Sequence, residues 1–217
     1  MKAFQKVLAE EGIGLDSGEY FTRYLGLPDR DIARDVLKRR FGRAADPAGL
    51  DDAVDHVLAR KALAYRDLVR RDLPEVPGAA GFILSAAERY PIAVASGALR
   101  VEVEDGLYRL GVRDAITSIV AIEDVTRGKP DPEMFFVARG ALIRICAIPG
   151  ARLGLDPSEP SSSFLVLEDS PAGLAAARAA WMKAIGVATS RPASDLKPAD
   201  LVVDDLSALT LETIAAL

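Results

Sequence analysis

Apolar residues recur at helical spacing through the first third of the chain, with no strand-like alternation between them. The pattern predicts four helices over residues 1–75: one around Phe4 to Ile13, one from about Ser17 to Leu25, one opened by Pro28, and one from Leu50 to about Val69. Ser17 is the predicted N-cap of the second of these helices. We therefore expect an all-helical first domain.

The pattern changes after the Pro- and Gly-containing segment 73–78, which predicts a domain boundary. Short continuous apolar runs then alternate with helical segments. Runs at 92–95, 116–122, 164–167, 184–187 and 201–203 predict strands, and segments near 79–90, 100–110, 132–146 and 171–181 predict helices. Such alternation is typical of a parallel sheet with both faces covered, so residues 76–217 predict an α/β domain.

The overall composition is that of a globular protein, with 50% hydrophobic and 27% charged residues among 217. A net charge of −5 argues against a nucleic-acid or anionic-membrane surface. Cys146 has no intrachain partner, and no apolar run approaches the roughly 18 residues of a membrane span. We expect a cytoplasmic protein, monomeric or homodimeric.

Two adjacent carboxylates, Glu168 and Asp169, follow the apolar run 164–167 directly. Ligands bind at the carboxyl ends of strands in open α/β sheets, and neighbouring carboxylates repel unless a cation or proton intervenes. Oxygen ligands of this kind suit Mg²⁺, so the pair predicts a metal site. The structural alternative is an acidic helix start with Ser170 as N-cap.

Two further polar side chains are candidates for the same site, one directly after a predicted strand and one in a loop. Ser96 and Gly97 come just after the run 92–95, where a hydroxyl and helix-opening N–H groups can hold a phosphate oxygen, although a simple turn explains them too. Lys129, next to Pro130, stands in a constrained loop where an ammonium could neutralise a phosphoryl group. A solvent-exposed lysine is the alternative.

Taken together, these segments resemble the haloacid dehalogenase superfamily, in its β-phosphoglucomutase and phosphoglycolate-phosphatase-like branch. The resemblance implies a Rossmann-like parallel-sheet core, 76–217, and a helical cap domain, 1–75. It also implies that Ser96 and Lys129 are catalytic groups that hold the phosphoryl group, that Gly97 adjoins it, and that Glu168 and Asp169 bind Mg²⁺. Cap residues Arg30 and Lys61, with Tyr65, are candidates for contacting a small phosphorylated metabolite.

The implied activity is a Mg²⁺-dependent phosphatase or phosphomutase that works through a phosphoaspartate. That family's nucleophile lies in an Asp-x-Asp-Gly motif ahead of the cap, which residues 1–217 do not contain; Asp29-Arg30-Asp31 reads instead as an acidic helix start. The chain as written is therefore expected to be inactive. A remnant that binds a metabolite or protein, and a structural partner whose sheet edge accepts a strand, stay open.

Three other departures from the family pattern affect the structural expectations. The connection 142–163 is longer than usual; its start, residues 142–148, is expected to end a helix, although it is apolar enough to be a strand. Trp181 stands where the family tends to place glycine at a helix end, so it should strain the cap or cover new surface. His56 is the single histidine, which leaves no His-based triad or zinc site.

Overall fold

The computed structural model describes residues 1–25, 27–42, 47–71, 75–148, 153, 156 and 158–217, with only the backbone at 47 and 69–71. The helices are α1 (Lys2–Glu10), α2 (Ser17–Glu19, continuing as a π-helical turn over Tyr20–Tyr24), α3 (Asp29–Phe41), α4 (Pro47–Arg71), α5 (Ala79–Ala87), α6 (Arg100–Arg109), α7 (Glu133–Cys146), α8 (Pro171–Ala179) and α9 (Leu211–Ala215). The strands are β1 (Ala93–Ala95), β2 (Ser118–Val120), β3 (Leu165–Glu168), β4 (Lys183–Val187) and β5 (Leu201–Val203).

Every described element of secondary structure up to Arg71 is a helix, as the apolar spacing predicts. Helices α1, α3 and α4 bury their apolar faces against one another, and Phe4, Leu8, Ile32 and Val54 are at most 1% exposed in this cluster. Burying such side chains supplies about 1.5–3 kcal/mol each, which explains why the three helices pack as a unit.

The start of α2 differs from the sequence-based expectation. Asp16, not Ser17, is the N-cap: its carboxylate accepts a hydrogen bond from the Glu19 N–H at 2.9 Å. Either residue type can cap a helix. Ser17 Oγ instead accepts a bond from the Gln5 side-chain amide at 3.0 Å, which ties α2 to α1.

All five predicted strands form, and every pairing between them is parallel. Strand β1 pairs with β2 in one sheet, and β3, β4 and β5 form another in that order. The β2 run is shorter than its apolar stretch because Ile122 begins a 3₁₀ turn. The α/β expectation is thus confirmed, with the parallel strands divided between two sheets.

Helix α7 links the two sheets. Its Met134 and Ala138 pack against β1 and β2, whereas its Phe135 joins the cluster that α8 makes with β3 and β4. The segment 142–146 is the last part of this helix, so the alternative strand at 142–148 does not form. Much of the long loop that follows, and residues 72–74 of the predicted boundary, lie outside the described residues.

Trp181 directly follows Ala180, the C-cap of helix α8. This residue has a backbone φ of +60°, and its N–H donates to Arg178 O at 3.0 Å, followed by Met182 N–H to Ala177 O at 3.0 Å. Left-handed backbone after a helix favours glycine. Trp181 is 81% exposed, so its side chain covers little apolar surface. Of the two consequences expected for this residue, the strained backbone is present and the newly covered surface is not.

Across the part of the chain that the structure describes, we find no helix with both the length and the hydropathy needed to cross a lipid bilayer.

Candidate functional site

A cavity of about 550 Å³ opens at the carboxyl ends of β1 and β3, below the helices of the first part of the chain. It brings together residues that lie far apart in sequence. The predicted site residues that line it are Ser96, Gly97, Lys129, Glu168, Asp169 and Lys61, with Tyr65 beside them. The expected convergence of three chain segments on one pocket is therefore present in the structure.

Ser96 stands at the first position after β1. Its backbone N–H extends the strand pairing by donating to Val120 O at 2.9 Å, and its Oγ accepts a bond from the Ala98 N–H at 3.1 Å. The side chain thus shapes the tight turn that leads to α6, while it also faces the cavity. Both alternatives for this serine, turn former and cavity group, hold at once.

Lys129 is not a surface lysine, since its side chain is only 11% exposed. Its Nζ donates to Ala95 O at 3.2 Å, forms an ion pair with the Glu168 carboxylate, and lies 5.2 Å from the centre of the Phe135 ring. The preceding Gly128 explains the position of the loop: a Cβ there would lie 2.2 Å from Pro28 Cγ. The loop that carries Lys129 therefore touches the start of α3.

Glu168 is 7% exposed and its carboxylate has several donors besides Lys129. It accepts bonds from Ser170 Oγ at 3.0 Å and from the Asp169 N–H at 3.2 Å. Gly173 packs directly against it, because a Cβ at 173 would lie 2.0 Å from the Glu168 carboxyl carbon. Ser170 also caps α8 through the Gly173 N–H at 3.1 Å, which confirms the predicted cap.

The Asp169 carboxylate has fewer bonding partners than that of Glu168. Its Oδ2 accepts a bond from Ser190 Oγ at 2.6 Å. Asp169 also lines the cavity. Of the two adjacent acids, Asp169 is the one with more capacity to bind a cation.

A second charged cluster lies at the opposite side of the cavity, and sequence reasoning missed two of its members. Lys61 Nζ lies 2.6 Å from Asp29 Oδ2 and 2.8 and 2.9 Å from the two carboxylate oxygens of Glu102. Desolvation alone would lower the pKa of Lys61, but the two acids outweigh it and raise that pKa. Lys61 is therefore firmly cationic.

Glu102 could have been found from its place in the sequence. It is the third residue of α6, where an acidic side chain can reach back to the helix start. Its Oε2 accepts a bond from the Leu99 N–H at 3.1 Å. The Asp29-Arg30-Asp31 segment does form the acidic first turn of α3, as predicted, but Asp29 also lines the cavity.

Arg30 is the predicted site residue that the structure does not bring to the cavity. Its guanidinium pairs with Asp55 at 2.5 Å on an exposed surface where α3 meets α4. Arg30 is not among the described residues that line the cavity.

The donor set at Glu168 and Asp169 can be compared with what Mg²⁺ needs. Among the described residues no group of three His, Cys, Asp or Glu side chains is placed to hold a metal. Mg²⁺ is commonly held by only one or two carboxylates together with waters and a substrate phosphate, so two carboxylates suffice. Among the described residues that line the cavity there are four carboxylates and two lysines.

Comparison with known proteins agrees with this geometry. The sequence profile of the family described as haloacid dehalogenase-like hydrolase matches residues 1–187. The chain belongs to that family. Its relatives include a validoxylamine A 7′-phosphate phosphatase from Streptomyces hygroscopicus subsp. limoneus, 32% identical over 79% of this chain and 78% of the relative. A fructose-1-phosphate phosphatase from Escherichia coli is 30% identical over 86% of both chains.

A solved structure shows the same fold. The crystal structure of a β-phosphoglucomutase from Clostridium difficile superposes with a TM-score of 0.78 and 20% identity, and the match covers 99% of this chain and 87% of that one. A further sequence relative, a β-phosphoglucomutase from Bacillus subtilis, is 30% identical over 73% of this chain and 62% of its own length. These findings place the chain among the phosphatases and phosphomutases of the family, which act on phosphate esters.

Proposed function

We propose that this protein binds a small phosphomonoester together with Mg²⁺, at a site built for phosphatase or phosphomutase chemistry. One observation carries the proposal. Ser96, Lys129 and the acidic pair Glu168–Asp169 come from three separate segments of the chain and line one cavity at the strand ends. Such convergence is what phosphoryl-transfer sites require, because their catalysis rests on positioning and charge neutralisation.

The side chains divide the work by their chemistry. Ser96 Oγ and the N–H groups of the turn that opens α6 supply donors for phosphoryl oxygens. The Lys129 ammonium adds a fixed positive charge beside them. Glu168 and Asp169 would hold Mg²⁺, which supplies charge neutralisation at the phosphate when bound.

The opposite side of the cavity is suited to a polyhydroxylated leaving group. Asp29, Lys61 and Glu102 offer acceptors and donors there, and Tyr20 and Tyr65 provide ring faces. Two relatives are named for phosphorylated, hydroxyl-rich substrates, which supports a sugar phosphate or similar small metabolite. In this proposal residues 1–75 act as the substrate-selecting cap over the core 76–217.

A second candidate is binding without turnover in residues 1–217. It is favoured by the hydrogen bonds and ion pairs that the acids lining the cavity already make with other side chains. Asp29 and Glu102 are bonded to Lys61, Glu168 is paired with Lys129, and Asp169 accepts from Ser190. A carboxylate nucleophile must be free to attack phosphorus. Each described acid of the cavity has at least one bonding partner, and the single bond to Asp169 Oδ2, from an uncharged hydroxyl, leaves that residue the least engaged of them.

Titration calorimetry with inorganic phosphate, with and without Mg²⁺, tests the proposal. We expect phosphate to bind only when Mg²⁺ is present, and the Asp169→Asn variant to weaken that binding at least about tenfold, since it removes one charge from the metal site. Asp114→Asn, at an exposed turn remote in the sequence from the site, is the matched control.

Equal phosphate affinity without Mg²⁺, or in Asp169→Asn, would contradict the proposed site. Hydrolysis of p-nitrophenyl phosphate separates the two candidates. Mg²⁺-dependent turnover that Asp169→Asn abolishes supports the enzyme, whereas phosphate binding with no turnover supports the binding protein.

A further inference from the structure

The charged side chains at the opposite side of the cavity, Asp29, Lys61 and Glu102, differ in how accessible they are. The Glu102 side chain is 1% exposed, and both of its carboxylate oxygens are bonded, to Lys61 Nζ and, for Oε2, also to the Leu99 N–H. The Lys61 side chain is 8% exposed and the Asp29 side chain is 16% exposed. Asp29 is therefore the member of this cluster that a ligand reaches most readily.

The Lys61 ammonium has little capacity left for a ligand. A lysine carries three N–H donors, and three carboxylate oxygens lie within 2.9 Å of its Nζ: one from Asp29 and both from Glu102. The Nζ also lies 5.3 Å from the centre of the Tyr65 ring, which covers it further. An acidic group of a ligand would therefore find the hydrogens of this lysine already in use.

Asp29 has an oxygen to spare. Its Oδ2 is bonded to Lys61, whereas no donor from the part of the chain that the structure describes bonds its Oδ1. The side-chain charges of the cluster sum to −1, from two carboxylates and one ammonium. An ionised carboxylate oxygen can only accept hydrogen bonds. This side of the cavity thus suits a hydrogen-bond donor on a ligand and disfavours an anion.

Packing fixes Asp29 relative to the groups proposed to hold the phosphoryl group. Pro28, the residue before it, contacts two of their loops. A Cβ at Gly97, in the turn after Ser96, would lie 3.8 Å from Pro28 Cα, and a Cβ at Gly128, in the Lys129 loop, would lie 2.2 Å from Pro28 Cγ. A ligand anchored by its phosphoryl group would therefore meet Asp29 at a set distance, as selectivity for one end of a molecule requires.

We propose that Asp29 selects the leaving group of the phosphomonoester: its Oδ1 accepts a hydrogen bond from a hydroxyl or an ammonium, and a second acidic group is excluded. This inference rests on the proposed function, because it concerns the other end of the same ligand. A charge-assisted bond from an ammonium is stronger than one from a hydroxyl, so amino-substituted sugar phosphates are the preferred class. A carboxylate or second phosphate would meet a like charge in a confined site, where repulsion is strong.

An acidic helix start is the structural explanation of Asp29 that the proposal must exceed. Asp31 shares that role, since both acids stand in the first turn of α3. Asp31 is exposed and is not among the described residues that line the cavity. Loss of either charge affects the helix alike, but only loss of Asp29 should change which ligand binds. Asp31→Asn is therefore a matched control.

Two pairs of sugar phosphates, each differing at one group, are the probes. Glucosamine 6-phosphate replaces one hydroxyl of glucose 6-phosphate by an ammonium, and 6-phosphogluconate replaces one terminal hydroxymethyl of glucitol 6-phosphate by a carboxylate. Titration calorimetry at pH 7 and saturating Mg²⁺ gives the affinities. We expect the amine to bind at least about threefold more tightly than its hydroxyl partner, and the acid at least about tenfold more weakly than its own.

The variants assign this selectivity to one side chain. Asp29→Asn should bring both affinity ratios to within about twofold of one, because it removes the charge and frees a Lys61 donor for the acid. Asp29→Glu keeps the carboxylate and should keep the direction of both preferences. In Asp31→Asn both ratios should equal those of the unaltered protein.

Equal affinities within each pair in the unaltered protein, or tighter binding of 6-phosphogluconate than of glucitol 6-phosphate, would overturn the inference even if Asp29→Asn fails to fold. So would an equal loss of selectivity in Asp31→Asn. Inorganic phosphate, which has no leaving group, separates the two proposals. If it binds with Mg²⁺ while the ratios stay near one, only the role of Asp29 fails; if it does not bind, both proposals fail.

Discussion

The ammonium of Lys61 lies 2.8 and 2.9 Å from the two carboxylate oxygens of Glu102, and this buried pair joins helix α4 to helix α6. Glu102 is 1% exposed and also caps the start of α6 through Leu99. One side chain therefore ties the helical part of the chain to the turn that begins at Ser96.

Removal of Glu102 should destabilise the fold. Glu102→Ala leaves Lys61 with a single acid, Asp29, and frees the Leu99 N–H, so we expect the free energy of unfolding to fall by about 2–3 kcal/mol. Urea denaturation measures it. Glu104→Ala, on the same helix with a partly exposed side chain 4.0 Å from Arg113, should change it by less than about 0.5 kcal/mol. Similar losses in both variants would contradict the buried pair.

A methyl group at Gly173 should displace Glu168. The added Cβ would lie 2.0 Å from the Glu168 carboxyl carbon, far inside contact distance, so Gly173→Ala is expected to cost about 1–3 kcal/mol and to weaken Mg²⁺-dependent phosphate binding. Gly81→Ala is the control, since nothing lies near its Cβ in α5 and alanine favours helix by about 1 kcal/mol. Thermal unfolding that ranks the two variants the other way would refute the contact.

Trp181→Gly should stabilise the protein. Relief of the left-handed backbone is worth roughly 1 kcal/mol, and little burial is lost because the indole is 81% exposed. Trp181→Ala keeps a Cβ at φ +60° and serves as the control. We expect a higher Tm for the glycine variant alone; an equal gain in the alanine variant would show that the indole itself, not the backbone, was unfavourable.

Asp35 should make stability depend on pH in the acid range. Its Oδ2 accepts the Tyr24 hydroxyl at 2.5 Å, and this bond, helped by Arg23 and Arg39, lowers the pKa of Asp35 below 3.8. A lowered folded-state pKa gives a contribution that is full well above the ordinary aspartate value of 3.8 and is lost as the pH falls through the folded value.

The measurement is the Tm difference between the protein and Asp35→Asn across pH 2–6. We expect the difference to be constant above about pH 5 and to shrink toward zero as Asp35 becomes protonated. A Tm difference that grows on acidification would contradict this prediction and show that the ionised Asp35 carboxylate does not stabilise the fold.

The strands and most helices could be predicted because their apolar runs are local. The runs ending at Ala95 and Glu168 become β1 and β3, and residues 142–146 finish a helix as their spacing indicates. Convergence of Ser96 and Lys129 with the acidic pair also followed, since parallel strands present their carboxyl ends at one edge.

The remaining features depend on contacts between distant segments. Nothing local distinguishes Asp29, whose partner Lys61 is 32 residues away, from an ordinary acidic helix start. Arg30 looked equally suitable for the cavity, but the rotation of α3 places it against Asp55. Asp16 is the N-cap in place of Ser17, whose hydroxyl accepts a bond from the Gln5 side chain of the neighbouring helix.

The close approach of Gly128 to Pro28 limits how this protein can vary. Pro28 fixes the start of α3, and the lysine loop rests on its ring with no room for a side chain. A shift of α3 toward this loop must therefore move Lys129 as well, so the position of Asp29 in the cavity and the position of the Lys129 charge change together. A mutation that displaces the start of α3 is expected to displace that charge too.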